Sequence, residues 1–249
     1  MIYLAGISTA KELFYENQII KYVLISFLEI KQLDLSKLNK HYLLLDSGAF
    51  TYLNSKKNAI INWDNYINEY ANYINKNNIN LFFELDIDPI VGLKEVERLR
   101  LKLEKLTNKQ CIPVWHKSRG IEYWKKMCEE YDYVAIGGIV TKEIKQTQYE
   151  VFNNLLKIAK ENNCRVHGLG FTRTKLLHKY KFYSVDSTNW ITTRFNMYYI
   201  FNERQGIMQS YSKNKNNIKL RVKKISTRSY NLMQINEWVK FSKYAEINL

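Results

Sequence analysis

Short runs of aliphatic, β-branched and aromatic residues alternate along the chain with longer polar stretches. The runs fall at residues 2–5, 22–26, 42–45, 81–85, 111–115, 133–136, 165–169 and 182–185, and each reads as a strand. Between them, residues 63–75, 93–106, 121–130, 148–162 and 175–179 place apolar positions at helical spacing. Within residues 148–162, Val151, Leu155, Ile158 and Ala159 share one face before the polar stop Glu161-Asn162-Asn163. Strand–helix alternation on this scale predicts a parallel sheet. Eight such units close most naturally into an α/β fold of the (β/α)8 TIM-like barrel type, with a doubly wound open sheet as the alternative. No G-x-G-x-x-G follows the first run, which weakens a dinucleotide-binding reading.

Residues 1–190 therefore read as one barrel, the catalytic core, and residues 191–249 as a basic C-terminal extension. Residues 210–224 hold Lys213, Lys215, Lys219, Arg221, Lys223 and Lys224 with little acid to balance them. A phosphate-contacting arm and a solvated loop both fit that stretch. A last amphipathic helix around residues 235–244, with Trp238 and Phe241, is expected to pack on the barrel wall.

Composition narrows the function classes. A chain of 249 residues with 46% hydrophobic residues can bury a full core. Its net charge of +14 points to an anionic partner, and a polymer of phosphates is the commonest. Lysine enrichment follows from AT-rich codon usage, but that bias does not explain the shortage of acid. The apolar runs fall well short of the roughly 20 residues a membrane helix needs. The start, Met1-Ile2-Tyr3-Leu4-Ala5-Gly6, lacks a basic leader, so no signal peptide and a cytoplasmic location are expected. Cys111, Cys128 and Cys164 are isolated, which suits buried thiols and gives neither a disulfide framework nor a zinc site.

Candidate chemistry lies at the strand ends, where such barrels place their active sites. The third run ends in Asp46-Ser47-Gly48-Ala49-Phe50 and the fourth in Asp86-Ile87-Asp88-Pro89. The fifth ends in Trp115-His116, the sixth in Gly137-Gly138, the seventh in Gly168-Leu169-Gly170 and the last in Asp186-Ser187-Thr188. One aspartate after a strand is commonly a helix cap. Asp46, Asp86 and Asp186 together suggest glycosidic-bond chemistry, in which one carboxylate attacks and another moves protons. A divalent metal is the other use for such acids. Glycines at these ends suit a flat ligand lying against the backbone, or simply tight turns.

These segments resemble the tRNA-guanine transglycosylase (queuine tRNA-ribosyltransferase) superfamily. Leu45-Asp46-Ser47-Gly48-Ala49-Phe50 is similar to its D-S-G-G-F-Q motif, and Leu85-Asp86-Ile87-Asp88-Pro89 to its base-reading motif. Ala135-Ile136-Gly137-Gly138-Ile139 is similar to the glycine pair flooring the base pocket, and Val185-Asp186-Ser187-Thr188 to the nucleophile motif. The resemblance implies Asp186 as nucleophile at C1′ and Asp46 as general base on the incoming base. It implies Asp86 or Asp88 on the Watson–Crick edge, and Ser47, Gly48, Phe50, Gly137 and Gly138 around the base. His116 stands where the family carries a glutamine, Ala49 replaces a glycine, and Thr51 replaces the motif's last glutamine.

The family's zinc subdomain has no counterpart in the cysteine pattern, and the chain is short. Both features are closer to the DpdA-type DNA-guanine transglycosylases of phages and bacteria. The implied substrates are DNA, or alternatively tRNA, and a free 7-deazaguanine base. No cofactor or metal is implied, and a homodimer is compatible. A non-catalytic nucleic-acid-binding subunit and a barrel glycoside hydrolase are the competing classes.

Overall fold

The structure, a computed structural model, describes residues 1–16, 20–38, 42–53, 61–191, 197–212 and 226–249, with Phe50, Leu53 and Ser212 described by their backbone alone. Eight parallel strands form one sheet: β1 (Ile2–Ala5), β2 (Val23–Ser26), β3 (Leu43–Asp46), β4 (Leu81–Phe82), β5 (Val114–Trp115), β6 (Tyr133–Ile136), β7 (Arg165–Gly168) and β8 (Ser184–Ser187). Their order is β4-β3-β2-β1-β8-β7-β6-β5. A parallel bridge between Phe83 and Ile112 joins the two ends. The fold is thus a (β/α)8 TIM-like barrel.

The β4–β5 seam is thin for a chemical reason. Pro113 has no N–H to give, and Val114 gives its own to the Glu84 carboxylate at 2.7 Å rather than to a strand carbonyl. The seam is held instead by Ile112 N–H to Phe82 O at 2.8 Å and Glu84 N–H to Ile112 O at 3.1 Å.

Ten helices are described: α1 (Lys11–Glu16), α2 (Phe27–Ile30), α3 (Phe50–Leu53), α4 (Trp63–Asn77), α5 (Asp88–Val91), α6 (Leu93–Thr107), α7 (Gly120–Glu130), α8 (Val151–Glu161), α9 (Thr174–Leu177) and α10 (Thr227–Asn248). Asn62 starts α4 by accepting from Asn65 N–H, and Asn78 ends it at φ 51°. Helix α4 buries Ile67, Tyr70, Ala71 and Ile74 against the sheet, and α6 buries Val96, Leu99 and Leu103. The helix expected at residues 148–162 begins at Val151, because residues 146–148 form a separate 3-10 turn. Cys111, Cys128 and Cys164 are buried thiols.

Strand alternation divides the core in two. Outward residues pack under the helices, while Tyr3, Tyr22, Leu44, Phe83, Val114 and Tyr133 fill the barrel interior with their neighbours. Beyond residue 191, β9 (Met197–Asn202) and β10 (Ile207–Ser212) form an antiparallel hairpin. Helix α10 shields the free edge of β9: Gln234 bonds both the N–H and the carbonyl of Tyr199, and Glu237 accepts from Phe201 N–H. The hairpin docks on α9 through Met208 N–H to Thr174 Oγ1 and His178 to the Gly206 carbonyl. Among the described residues, no helix is long and apolar enough to cross a membrane. The candidate phosphate contacts at 213, 215, 219, 221, 223 and 224 lie outside the described residues.

Candidate active site at the barrel mouth

The same period of two that fills the interior sets the mouth. Asp46 stands two residues after inward Leu44, His116 two after Val114, and Gly137 two after Ala135. Asp186 stands two after Ser184, and all four line a cavity of about 680 Å³ with Asp86, Gly138, Glu143, Gly170 and Arg173. A depression of about 890 Å³ at the opposite end, lined by residues such as Met1, Arg165 and Lys181, holds none of these groups.

The three aspartates sit in different surroundings. Asp46 accepts from Gly48 N–H at 3.1 Å. Burial, with the nearby charges of Asp86 and Asp186, pushes its carboxyl up to about 7. Asp86 accepts from His116 Nε2 at 2.6 Å. Asp186 takes two contacts on Oδ1, from Gly170 N–H at 2.6 Å and from His167 Nε2 at 3.2 Å. Gly170 has φ +66°, and a Cβ there would lie 2.2 Å from the Val140 side chain, so only glycine presents that N–H.

His116 is held at both ring nitrogens, by Asp86 and by Glu143 at 2.8 Å from Nδ1. Burial disfavours its charged form, but bonds to Asp86 and then Glu143 outweigh that and push the ring up to about 9. With both nitrogens engaged, His116 lines the cavity with its ring fixed against Asp86 and Glu143. The Gly137 N–H is likewise used, donating to Trp115 O at 2.8 Å. Of the glycine pair, Gly138 is the one whose N–H makes no bond among the described residues.

Asp88 does not reach the cavity. It is forked by Arg119, which also bonds the fully buried Glu84 at 3.1 Å, and Arg100 adds a second contact to Glu84 at 3.3 Å. Ser47 and Gly48 correct another expectation: neither lines the cavity. Ser47 is buried with its Oγ accepting from Ala49 N–H, and Gly48 packs against Leu28 and Tyr66 behind Asp46. Trp115 and Trp190 are core residues whose indole N–H groups bond the carbonyls of Gly120 and Ala5. The side chain of Phe50 lies outside what the structure describes.

The strand-end pattern does not single out His167, Glu143, Arg119 or Arg173. His167 carries a signal nonetheless, because it sits at an inward position of β7 facing Ser184. Glu143 and Arg173 come from loops, and no local pattern marks them. Among the described residues, no group of three His, Cys, Asp or Glu is arranged to hold a metal ion.

No family model matches this chain, and no curated protein matches it. A solved structure described as "Structural study of Project ID from Aquifex aeolicus VF5" is similar, with a TM-score of 0.54 at 12% identity. The likeness covers 98% of this chain and 91% of that one, and at such identity it concerns the fold alone.

Proposed function

We propose that this barrel is a guanine transglycosylase that replaces guanine in DNA with a 7-deazaguanine. The observation that carries the reading is one cavity in which three aspartates from β3, β4 and β8 have three different environments. Asp186, anchored through Oδ1, attacks C1′, and the C1′–N9 electron pair departs with guanine. Asp46, close to half protonated near neutral pH, gives the departing base its proton. It then takes one back from the incoming base, whose nitrogen displaces Asp186 from C1′. Two inversions give retention. Asp86, oriented by His116, accepts from the ring N–H and exocyclic amine of the base, and Gly138 N–H faces its carbonyl side.

The net charge of +14 supports a nucleic-acid partner, and a duplex guanine would have to be flipped out at a few kcal/mol. The three cysteines are separate and buried, unlike the clustered zinc ligands of the tRNA type, which favours DNA. The test is incorporation of radiolabelled guanine into plasmid DNA and into bulk tRNA, with Asp186→Ala in parallel. Label in DNA that Asp186→Ala abolishes is expected. Label in tRNA alone would overturn the substrate. Label in neither would return weight to a non-catalytic subunit or a sugar hydrolase.

A further inference from the structure

Below the cavity, a line of hydrogen-bonded groups runs from Asp186 into the barrel interior. From Asp186 Oδ1 it passes to His167 Nε2 at 3.2 Å, then from His167 Nδ1 to Ser184 Oγ at 2.5 Å, and from Ser184 Oγ to Tyr133 OH at 2.5 Å. His167 is fully buried, and its ring lies between Tyr3 and Phe83, at centroid distances of 5.9 and 5.3 Å. Ser184 is buried as well, and Tyr133 belongs to the interior cluster.

Elementary donor and acceptor rules order the protons along this line. A carboxylate only accepts, so His167 Nε2 carries the proton that faces Asp186. If Nδ1 is the lone-pair nitrogen, Ser184 must donate to it. Ser184 has spent its single proton, so Tyr133 must donate to Ser184. Every group is then satisfied. A doubly protonated ring would make Ser184 an acceptor at Nδ1, and either the serine proton or the phenol proton would then have no acceptor among these groups, which is costly in a buried interior. Burial also pushes the Tyr133 hydroxyl up, so it keeps the proton it must give.

We propose that His167 is a positioning residue for the Asp186 nucleophile, held in its Nε2–H tautomer by the ordered chain Tyr133 → Ser184 → His167 → Asp186. This rests on the transglycosylase reading for the role of Asp186, but not for the proton order. The chain fixes Oδ1 against two N–H donors, from His167 and Gly170, so the carboxylate cannot rotate away. Oδ2 receives no bond from the described residues and is the oxygen free to attack C1′. When the sugar ester forms, the same N–H stays on Oδ1. It steadies the carboxylate again as the incoming base displaces it.

Two measurements on the full chain test this. The first is ring-nitrogen NMR of histidine-labelled protein, which needs no turnover. A protonated Nε2 and a bare Nδ1 at His167, with that pattern lost in Ser184→Ala, are expected. A protonated Nδ1, or a pattern indifferent to Ser184→Ala, overturns the proton order. The second compares guanine exchange by His167→Gln, which keeps an N–H near the Nε2 position, with His167→Phe, which keeps only bulk. Loss of one oriented donor predicts a kcat about 100-fold lower in His167→Phe with the KM for the base unchanged, and recovery to within about tenfold in His167→Gln. Full kcat in His167→Phe overturns the positioning role. Equal losses in both, at matched thermal stability, also overturn it. Absence of exchange by the unsubstituted protein overturns the guanine reading instead, and the tautomer then decides the proton order by itself.

Discussion

Arg119 grips Asp88 with two hydrogen bonds of 2.6 Å, from Nε to Oδ2 and from Nη2 to Oδ1. The fork leaves Asp86, two residues earlier, as the carboxylate of this pair that faces the cavity. Its third arm reaches the buried Glu84, so one guanidinium compensates two acids beneath the site. Arg119→Met is expected to destabilise the fold by about 3–5 kcal/mol in denaturant titration, since it strips Asp88 of its fork and leaves Glu84 with Arg100 and the Val114 N–H alone. Asp86→Asn and Asp88→Asn should then separate. Under the proposed function, Asp86→Asn weakens base binding and costs stability only where His116 is charged, below about pH 9, whereas Asp88→Asn lowers stability across the pH range and spares base binding. The same loss of binding in both would mean that the division of labour between them is wrong.

Asp46 makes stability depend on pH in a definite direction. Its folded carboxyl is raised to about 7, above the unfolded value of 3.8, so the folded state holds its proton more tightly. The penalty for ionising it is absent below the unfolded value, grows from about pH 4 to pH 7, and is complete above that. Asp46→Asn should therefore gain stability over the natural residue at pH 8 and gain nothing at pH 4. The gain reaches up to a few kcal/mol, because each tenfold change in proton affinity is worth about 1.4 kcal/mol. Thermal unfolding at the two pH values checks this.

The same carboxyl predicts the pH profile of exchange. Under the proposed function, departure of guanine needs the protonated form and arrival of the new base needs the ionised one. Turnover should peak near pH 7 and fall on both sides, and Asp46→Asn should flatten the profile and lower the rate by about 100-fold. A profile still peaked near pH 7 in Asp46→Asn would assign the proton traffic to another group.

His116 is displaced for the opposite reason, as a base made stronger by its partners. Its folded ring titrates at about 9 against an ordinary 6.5, so its contribution is fully present below pH 6.5 and is lost as pH rises through 9. Unfolding free energy should fall between those values by up to about 3 kcal/mol. In Glu143→Gln part of that fall should disappear, because one of the two carboxylates is gone. An unchanged slope in Glu143→Gln would show that the pair at 2.8 Å contributes nothing to the ring's charge.

Much of this arrangement was legible in the sequence because barrels impose two simple periods. Residues 2–5 and 133–136 match β1 and β6 residue for residue, whereas the run at 182–185 starts two residues before β8 (Ser184–Ser187). Asp46, Asp86 and Asp186 stand directly after such runs, at the strand ends where a barrel gathers its chemistry. Choosing between Asp86 and Asp88 needed the structure, because Arg119 lies 31 positions from Asp88 and nothing local links them. The brevity of β4 and β5 was hidden for a similar reason: a side chain, Glu84, takes a strand N–H. His167 was within reach of the inward period of β7, carried below the mouth. Glu143 was not, since its loop position acquires meaning only through His116.

Gly137 offers the sharpest steric test of the proposed base-reading corner. A Cβ built there would fall 2.7 Å from His116 Cε1, 2.8 Å from Nε2 and 3.0 Å from Val114 Cγ1. Its backbone is not in the left-handed region, so alanine is conformationally permitted and the conflict is steric, first with the ring and then with Val114. The imidazole cannot yield without breaking its 2.6 Å bond to Asp86, and turning it away would leave that carboxylate without its orienting partner. Gly137→Ala should therefore still fold, with a loss of stability below about pH 9 that reflects the disturbed His116 pairing, and raise the KM for the free base at least tenfold, as loss of an oriented charge-assisted bond of about 1.5–3 kcal/mol requires. The His116 ring should also titrate lower than its natural value of about 9, which proton NMR of that ring would record. If the ring still titrates there and the KM is unchanged, the cavity accommodates the methyl group. The close approach of His116 to Gly137 then has no part in holding the base.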